Sequence, residues 1–204
     1  MRITLPRLLL AAYLLLFAIC AIEPWDRAVW WAENLPIMIL VALVAWLHRY
    51  HRFSGTAYLF MAFLVVLHTI GGHYTFERVP FDWVTGWFGF ERNHYDRLAH
   101  FTVGFYAYPV AEILQARRLV RPGWLLLLFA VSAILAVAAA YEIFEWIFAV
   151  SADPVAGLTV LGSQGDPWDA QKDMLADGLG ALFAIAVFRL TGRRLPPAER
   201  TTRG

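Results

Sequence analysis

The sequence predicts an all-α membrane fold, a polytopic bundle of six transmembrane helices with both termini cytoplasmic. Three observations predict it. Hydrophobic residues make up 60% of the 204 and charged residues only 16%, well under the ~25% charged of ordinary soluble domains. The apolar residues fall into six runs, each near the ~20 residues that cross a ~30 Å hydrocarbon core. The basic residues divide unequally between the two sets of loops that those runs define.

The first run, 5–23, follows Arg2 and Arg7. Arg7 and the apolar stretch Leu8–Ile22 also fit a cleaved signal peptide, but the charge count below requires a retained helix. Cys20 lies in this run and is the one cysteine, so an internal disulfide and a thiolate metal site are both excluded. The second run, 30–47, carries Pro36 near its start, where a first turn tolerates proline. The third, 56–74, ends on Gly71-Gly72, which allow close approach of a neighbouring backbone. The fourth, 97–115, contains Pro109 and is expected to kink. The fifth and sixth are 124–150 and 172–190. Each run must satisfy its own backbone polar groups in lipid, so all six are expected to be helices. The transmembrane domain then spans 1–192, and the polar, proline-containing tail 193–204 is expected to be disordered.

With the N-terminus inside, twelve arginines are cytoplasmic: Arg2, Arg7, Arg49, Arg52, Arg117, Arg118, Arg121, Arg189, Arg193, Arg194, Arg200 and Arg203. Only Arg27, Arg78, Arg92, Arg97 and Lys172 fall outside. That excess on one side sets the orientation. Most acids, and the tryptophans Trp25, Trp30, Trp31, Trp83, Trp87 and Trp168, then lie at the outer side, where an aromatic belt is the ordinary explanation for the latter. Glu33 is grouped with the outer-loop acids, and Glu112 is the inner one that a relay across the membrane would need.

A charge within the bilayer costs at least ~2.5–3.5 kcal/mol, so acids and histidines inside apolar runs are either satisfied or used. His68 and His73 close the third run and either bond across helices or line a site. Asp96 and His100 are four apart on one helical face. They suit a carboxylate–imidazole couple, two ligands to one cation, or a helix-start acid with a satisfied neighbour. Glu142 and Glu145 are three apart in a fully apolar setting, where two close carboxylates must share a proton or a cation. Asp169, Asp173 and Asp177 recur every four residues and form an acidic stripe entering the membrane. Helix capping explains one of them and not three. The loop 151–168, rich in Gly, Pro and Asp, is a candidate lid.

These groups are expected to meet in one polar pocket opening outward. His100, Asp96, Glu142 and Glu145 form its candidate catalytic core, and His68, His73, Asp169, Asp173 and Asp177 are candidate ligands to a divalent cation. Oxygen and imidazole donors without thiolate suit Zn²⁺, Mn²⁺, Mg²⁺ or Ca²⁺. No His-Glu-x-x-His, nucleophile elbow or phosphate loop is present, and no basic groove with interleaved aromatics suits nucleic acid. Three outcomes stay open for the acids: a bound metal, shared protons, or ion pairs with Arg97 and Lys172.

The stretch from His68 to Ala181 resembles the YjdF-like family of bacterial inner-membrane proteins, a domain of unknown function. The resemblance rests on His68-Thr69-Ile70-Gly71-Gly72-His73-Tyr74, Tyr95-Asp96-Arg97-Leu98-Ala99-His100-Phe101, Glu142-Ile143-Phe144-Glu145-Trp146 and Leu161-Gly162-Ser163-Gln164-Gly165-Asp166-Pro167-Trp168-Asp169. It implies a multi-pass protein of the inner (plasma) membrane and brings no activity with it. A weaker resemblance reaches the VanZ-like proteins of the cell envelope. There Glu145 and Asp177 stand where that family carries amides, which implies a more negative site and favours a bound cation. The resulting expectation is a metal-assisted cell-envelope enzyme in contact with membrane lipids, acting on a lipid-linked or other membrane-resident substrate. The alternatives are a cation- or proton-coupled transporter and a non-catalytic membrane scaffold.

Overall fold

The computed structural model describes residues 4–120, 123–151 and 163–191. Among them every regular element is helical: α1 Leu5–Cys20, α2 Arg27–Leu47, α3 Gly55–Tyr74, α4 Asp82–Phe88, α5 Tyr95–Val103, α6 Ala107–Ala116, α7 Gly123–Ser151 and α8 Asp169–Thr191. Four of these, α2, α3, α7 and α8, are long and apolar enough to cross a membrane, and α1 is a shorter apolar helix of 16 residues. The proposed lid lies mostly, and the C-terminal tail wholly, outside the described residues.

Local chemistry fixes the helix starts. The Asp26 carboxylate accepts from the N–H groups of Ala28 (2.8 Å) and Val29 (2.9 Å), so α2 begins at Arg27. That start corrects the reading of Pro36, which lies inside the helix and not in its first turn. Its missing N–H leaves the helical bond to the Ala32 carbonyl unmade. Ser54 caps α3 through Ala57 N–H, and its own N–H donates to Glu112 Oε1 at 2.8 Å. His51 Nε2 lies 3.3 Å from the same oxygen. Glu112 therefore ties the end of the α2–α3 connection to α6.

The fourth run is broken into three pieces. α5 ends at Val103, a 3₁₀ turn spans Gly104–Tyr106, and α6 continues from Ala107. Pro109 accounts for the break, because its ring clashes with the carbonyl four residues earlier, at Phe105. The same turn is where α8 crosses. A Cβ on Gly104 would strike the backbone of Asp177, Gly180 and Ala181, and one on Gly180 would strike the Phe101 carbonyl. Two bare backbones meet there, as small residues allow between helices in lipid.

α3, α5–α6 and α8 form the centre, with α1 and α2 packed on α3 and α7 packed on α6 and α8. The core uses alanines with no exposed surface (Ala57, Ala107, Ala111, Ala130, Ala181 and Ala184), interleaved with Tyr58, Tyr108, Ile134 and Phe188. Lipid tails are as apolar as leucine, so close contact rather than apolar burial holds such helices together. Leu14, Leu15, Ile39, Phe129 and Leu182 face outward and are exposed, the surface that hydrocarbon solvates.

Candidate functional site

Five helix ends converge on one cavity of about 530 Å³: the start of α2, the end of α3, the start of α5, the second half of α7 and the first turns of α8. Glu33, His68, Asp96, His100, Tyr141, Glu145, Asp169, Asp173 and Asp177 line it. Helical spacing explains the α8 group. Residues 169, 173 and 177 repeat close to the 3.6-residue turn and so share a face, and the Gly104–Gly180 crossing presses that face against α5.

His100 is the centre of the arrangement. Its Nδ1 lies 3.3 Å from both carboxylate oxygens of Asp177. Its Nε2 lies 3.7 Å from Asp173 and 3.8 Å from Asp96. With the proton on Nδ1 and donated to Asp177, the Nε2 lone pair points at the other two carboxylates. Asp96, His100 and Asp173 can each offer one ligand atom, all within 4.8 Å of one another. A cation with bonds of ~2.0–2.2 Å to nitrogen and oxygen would need only a small inward movement of the three.

The acidic stripe is answered in sequence along α8. Arg97 bonds both Asp169 and Asp173. Arg92 reaches Asp169 at 3.2 Å and Asp166 at 2.9 Å. Lys172 holds Asp166 at 2.6 Å. The Lys172 ammonium and the Trp168 N–H, with Arg92 beside them, hold the Asp166 carboxyl below the usual carboxylate range. Asn93 and Gln164 close the same connection through paired backbone–side-chain bonds of 3.0 and 2.9 Å. His94, next along, is pushed below the ordinary imidazole range by burial first and by Arg92 and Arg97 second. Of the three acids expected as free cation ligands, Asp169 is therefore held by arginines. Asp173 is shared between Arg97 and His100, and Asp177 buttresses His100.

The remaining candidates separate. His68 lines the cavity with Nε2 3.9 Å from Glu33. His73 does not reach it: Nδ1 bonds the Cys20 carbonyl at 2.9 Å, and the His73 carbonyl accepts from Trp25 N–H at 2.9 Å. His73 thus pins the end of α3 to the α1–α2 connection and stands apart from the other expected cation ligands. A histidine at a helix end finds the nearest bare carbonyl, and the sequence gives no sign of which that is. Glu145 is on the wall, while Glu142 lies beside it with a buried Oε1 that has no hydrogen-bond partner among the described residues.

Glu33 is a wall residue that its grouping with the loop acids concealed. The spacing 26, 29, 33, 36, 37 and 40 of the α2 wall residues is helical and extends inward from the Asp26 cap, which is the signal that places Glu33 inside. Tyr141 on α7 comes within hydrogen-bonding reach of its carboxyl, so α7 and α2 touch at this level.

Residues 5–194 match the sequence profile of a family described as predicted membrane protein (DUF2238). The chain is 34% identical over 166 residues to inner membrane protein YjdF of Escherichia coli (strain K12), covering 80% of this chain and 79% of that protein. No solved structure matches it.

Proposed function

Because the chain belongs to the DUF2238 family of predicted membrane proteins, we propose that it is a multi-pass protein of the bacterial inner membrane. In this reading six segments span, both termini are cytoplasmic, and the cavity opens outward. It binds a divalent cation through Asp96, His100 and Asp173 and uses it on a membrane-resident substrate of the cell envelope. The arginine asymmetry supports the orientation, and the inner-membrane relative supports the location. The sixth span requires α5, the 3₁₀ turn and α6 to cross together as one broken helix, with α1 as the first.

One observation carries the chemical reading: His100 has a carboxylate at each ring nitrogen. A carboxylate behind a histidine fixes its tautomer and raises its basicity toward a metal, and Asp177 stands in that position. A divalent ion there would supply Lewis-acid polarisation or an activated water. Glu145 on the wall would move protons for the same reaction. The contacts of Glu112 with Ser54 N–H and His51 support a structural role for it over the inner station a transporter would need. The scaffold alternative draws support from the arginine pairing of Asp169 and Asp173.

Elemental analysis of the detergent-purified protein decides between the cation and the scaffold. About one equivalent of a divalent metal is expected, lost in Asp173→Asn and His100→Ala and retained in Glu142→Gln, which lies outside the three-ligand set. A stable protein with no metal in any preparation, including after incubation with zinc and manganese, overturns the reading.

A further inference from the structure

The walls of the cavity change character with depth. Glu33 on α2 and Glu145 on α7 stand at its polar end, and Ile37, Leu40, Val137 and Ala138 line the same two helices further along. From Glu145 to Val137 and from Glu33 to Leu40 the helices run about 10–12 Å, at ~1.5 Å per residue. The apolar part thus extends toward the middle of the membrane, where water has no reason to fill it.

This apolar half also has an open side. α2 packs against α3, and α7 against α6 and α8, while α2 and α7 meet through Glu33 and Tyr141 at the polar end and have no extended packing on one another further along. Val137 faces the cavity and is nevertheless 61% exposed. At that depth the exposure is to hydrocarbon. A wall residue that borders both the cavity and the surrounding lipid marks a passage between them.

Charge selects the occupant. Arg97 is already engaged by Asp169 and Asp173. Near Glu33 the basic side chains among the described residues are imidazoles, His68 at 3.9 Å and His100 further off, and no lysine or arginine pairs with it. Glu145 has no lysine or arginine beside it among the described residues, and the basic group that acts on it is His100. Two carboxylates facing each other across the seam repel a phosphate or carboxylate head and satisfy an ammonium, which has three donors and no acceptor. We propose that the cavity admits, sideways between α2 and α7, a long-chain amphiphile with a cationic amine head. The head lodges between Glu33 and Glu145, and the chain lies along Ile37, Leu40 and Val137. This names the substrate class of the function proposed above and rests on it. The volume of about 530 Å³ is within the ~300–1,000 Å³ of small-molecule sites.

The test uses the full chain in lipid nanodiscs with a photoreactive twelve-carbon alkylamine carrying a mid-chain diazirine. The fatty acid of equal length is the control, and adducts are mapped by mass spectrometry. The amine should label Ile37, Leu40 or Val137, and the fatty acid should not. Glu33→Gln with Glu145→Gln should lower amine labelling about tenfold, the loss of a charge-assisted contact. Val137→Trp, at a position exposed enough to accept the larger ring, should lower it similarly by narrowing the seam, with the melting temperature unchanged. Asp173→Asn should keep the labelling whatever it does to the metal, so failure of the cation reading and failure of this one are told apart. Equal labelling by the fatty acid, or labelling that survives Val137→Trp, overturns the proposal.

Discussion

His100 is engaged at both ring nitrogens, and the two engagements are unequal in kind. Asp177 at Nδ1 is nearly inaccessible, with 1% of its surface exposed, while the Nε2 side faces the cavity. Asp177→Asn removes the charge behind the ring but leaves the three donor atoms in place. Its expected effect is a loss of about 10–100-fold in metal affinity, the range for a carboxylate behind a metal-bound histidine, measured by competition with a chromogenic chelator. An unchanged affinity would show that Asp177 plays no part in orienting the ring. Asp166 works at the rim, and its depressed pKa sets the sign of its pH dependence. A carboxyl that is more acidic folded than unfolded stabilises the fold above the unfolded value of ~3.9 and ceases to as pH falls through the folded value. Hydrogen-exchange protection at Trp168 and Asn93, taken relative to the intrinsic rate at each pH, should therefore fall in acid and hold in mild alkali. The chemistry-bearing types were legible here because an acid or histidine in an apolar run stands out. Their partners were not. Which carbonyl receives His73, and which of Asp169, Asp173 and Lys172 meets Arg97, depends on helices that are far apart in sequence.

Helix α8 owes its position to two glycines more than to its apolar face. At Gly180 any side chain meets the Phe101 carbonyl, and at Gly104 any side chain meets α8 itself. Gly180→Leu should destabilise the protein by about 3 kcal/mol or more, beyond ordinary core overpacking because the obstacle is backbone. It should also separate Asp173 and Asp177 from His100. Thermal unfolding in detergent, read together with metal content, checks both effects, and a variant with wild-type melting would show that the crossing is looser than described. The extents of α2, α3, α7 and α8 were nearly readable from the apolar runs, since length and hydropathy are local properties. The fourth run was not. Pro109 announced a kink, but the division into α5, a 3₁₀ turn and α6 depends on where α8 presses, and that contact is non-local. Pro36 was misplaced for a simpler reason: the α2 cap is Asp26, four residues ahead of the apolar run, so the helix starts earlier than its hydrophobicity does.

At the scale of the molecule, the proposed topology assigns most acids to one side of the membrane and twelve arginines to the other, and that division of the sequence is what it predicts from. Reporter fusions at residues 50 and 120 should read as cytoplasmic and those at 85 and 160 as external. The opposite result at 50 or 120 would invert the orientation. Convergence of the helix ends could be anticipated from sequence because the six-span reading returns every second loop to the same side. The participation of α2 could not, because Glu33 reads equally well as an interfacial acid until the helix is drawn through it. The pairing of Arg97 with Asp169 and Asp173, 72 and 76 residues later, has a consequence for how the protein is made. The ribosome delivers the arginine and His100 well before any carboxylate of α8 exists. Until then the guanidinium at the head of α5 lacks the two carboxylates that hold it in the finished fold. The order of synthesis thus makes the last helix the one that completes the charge pairing of the fourth run.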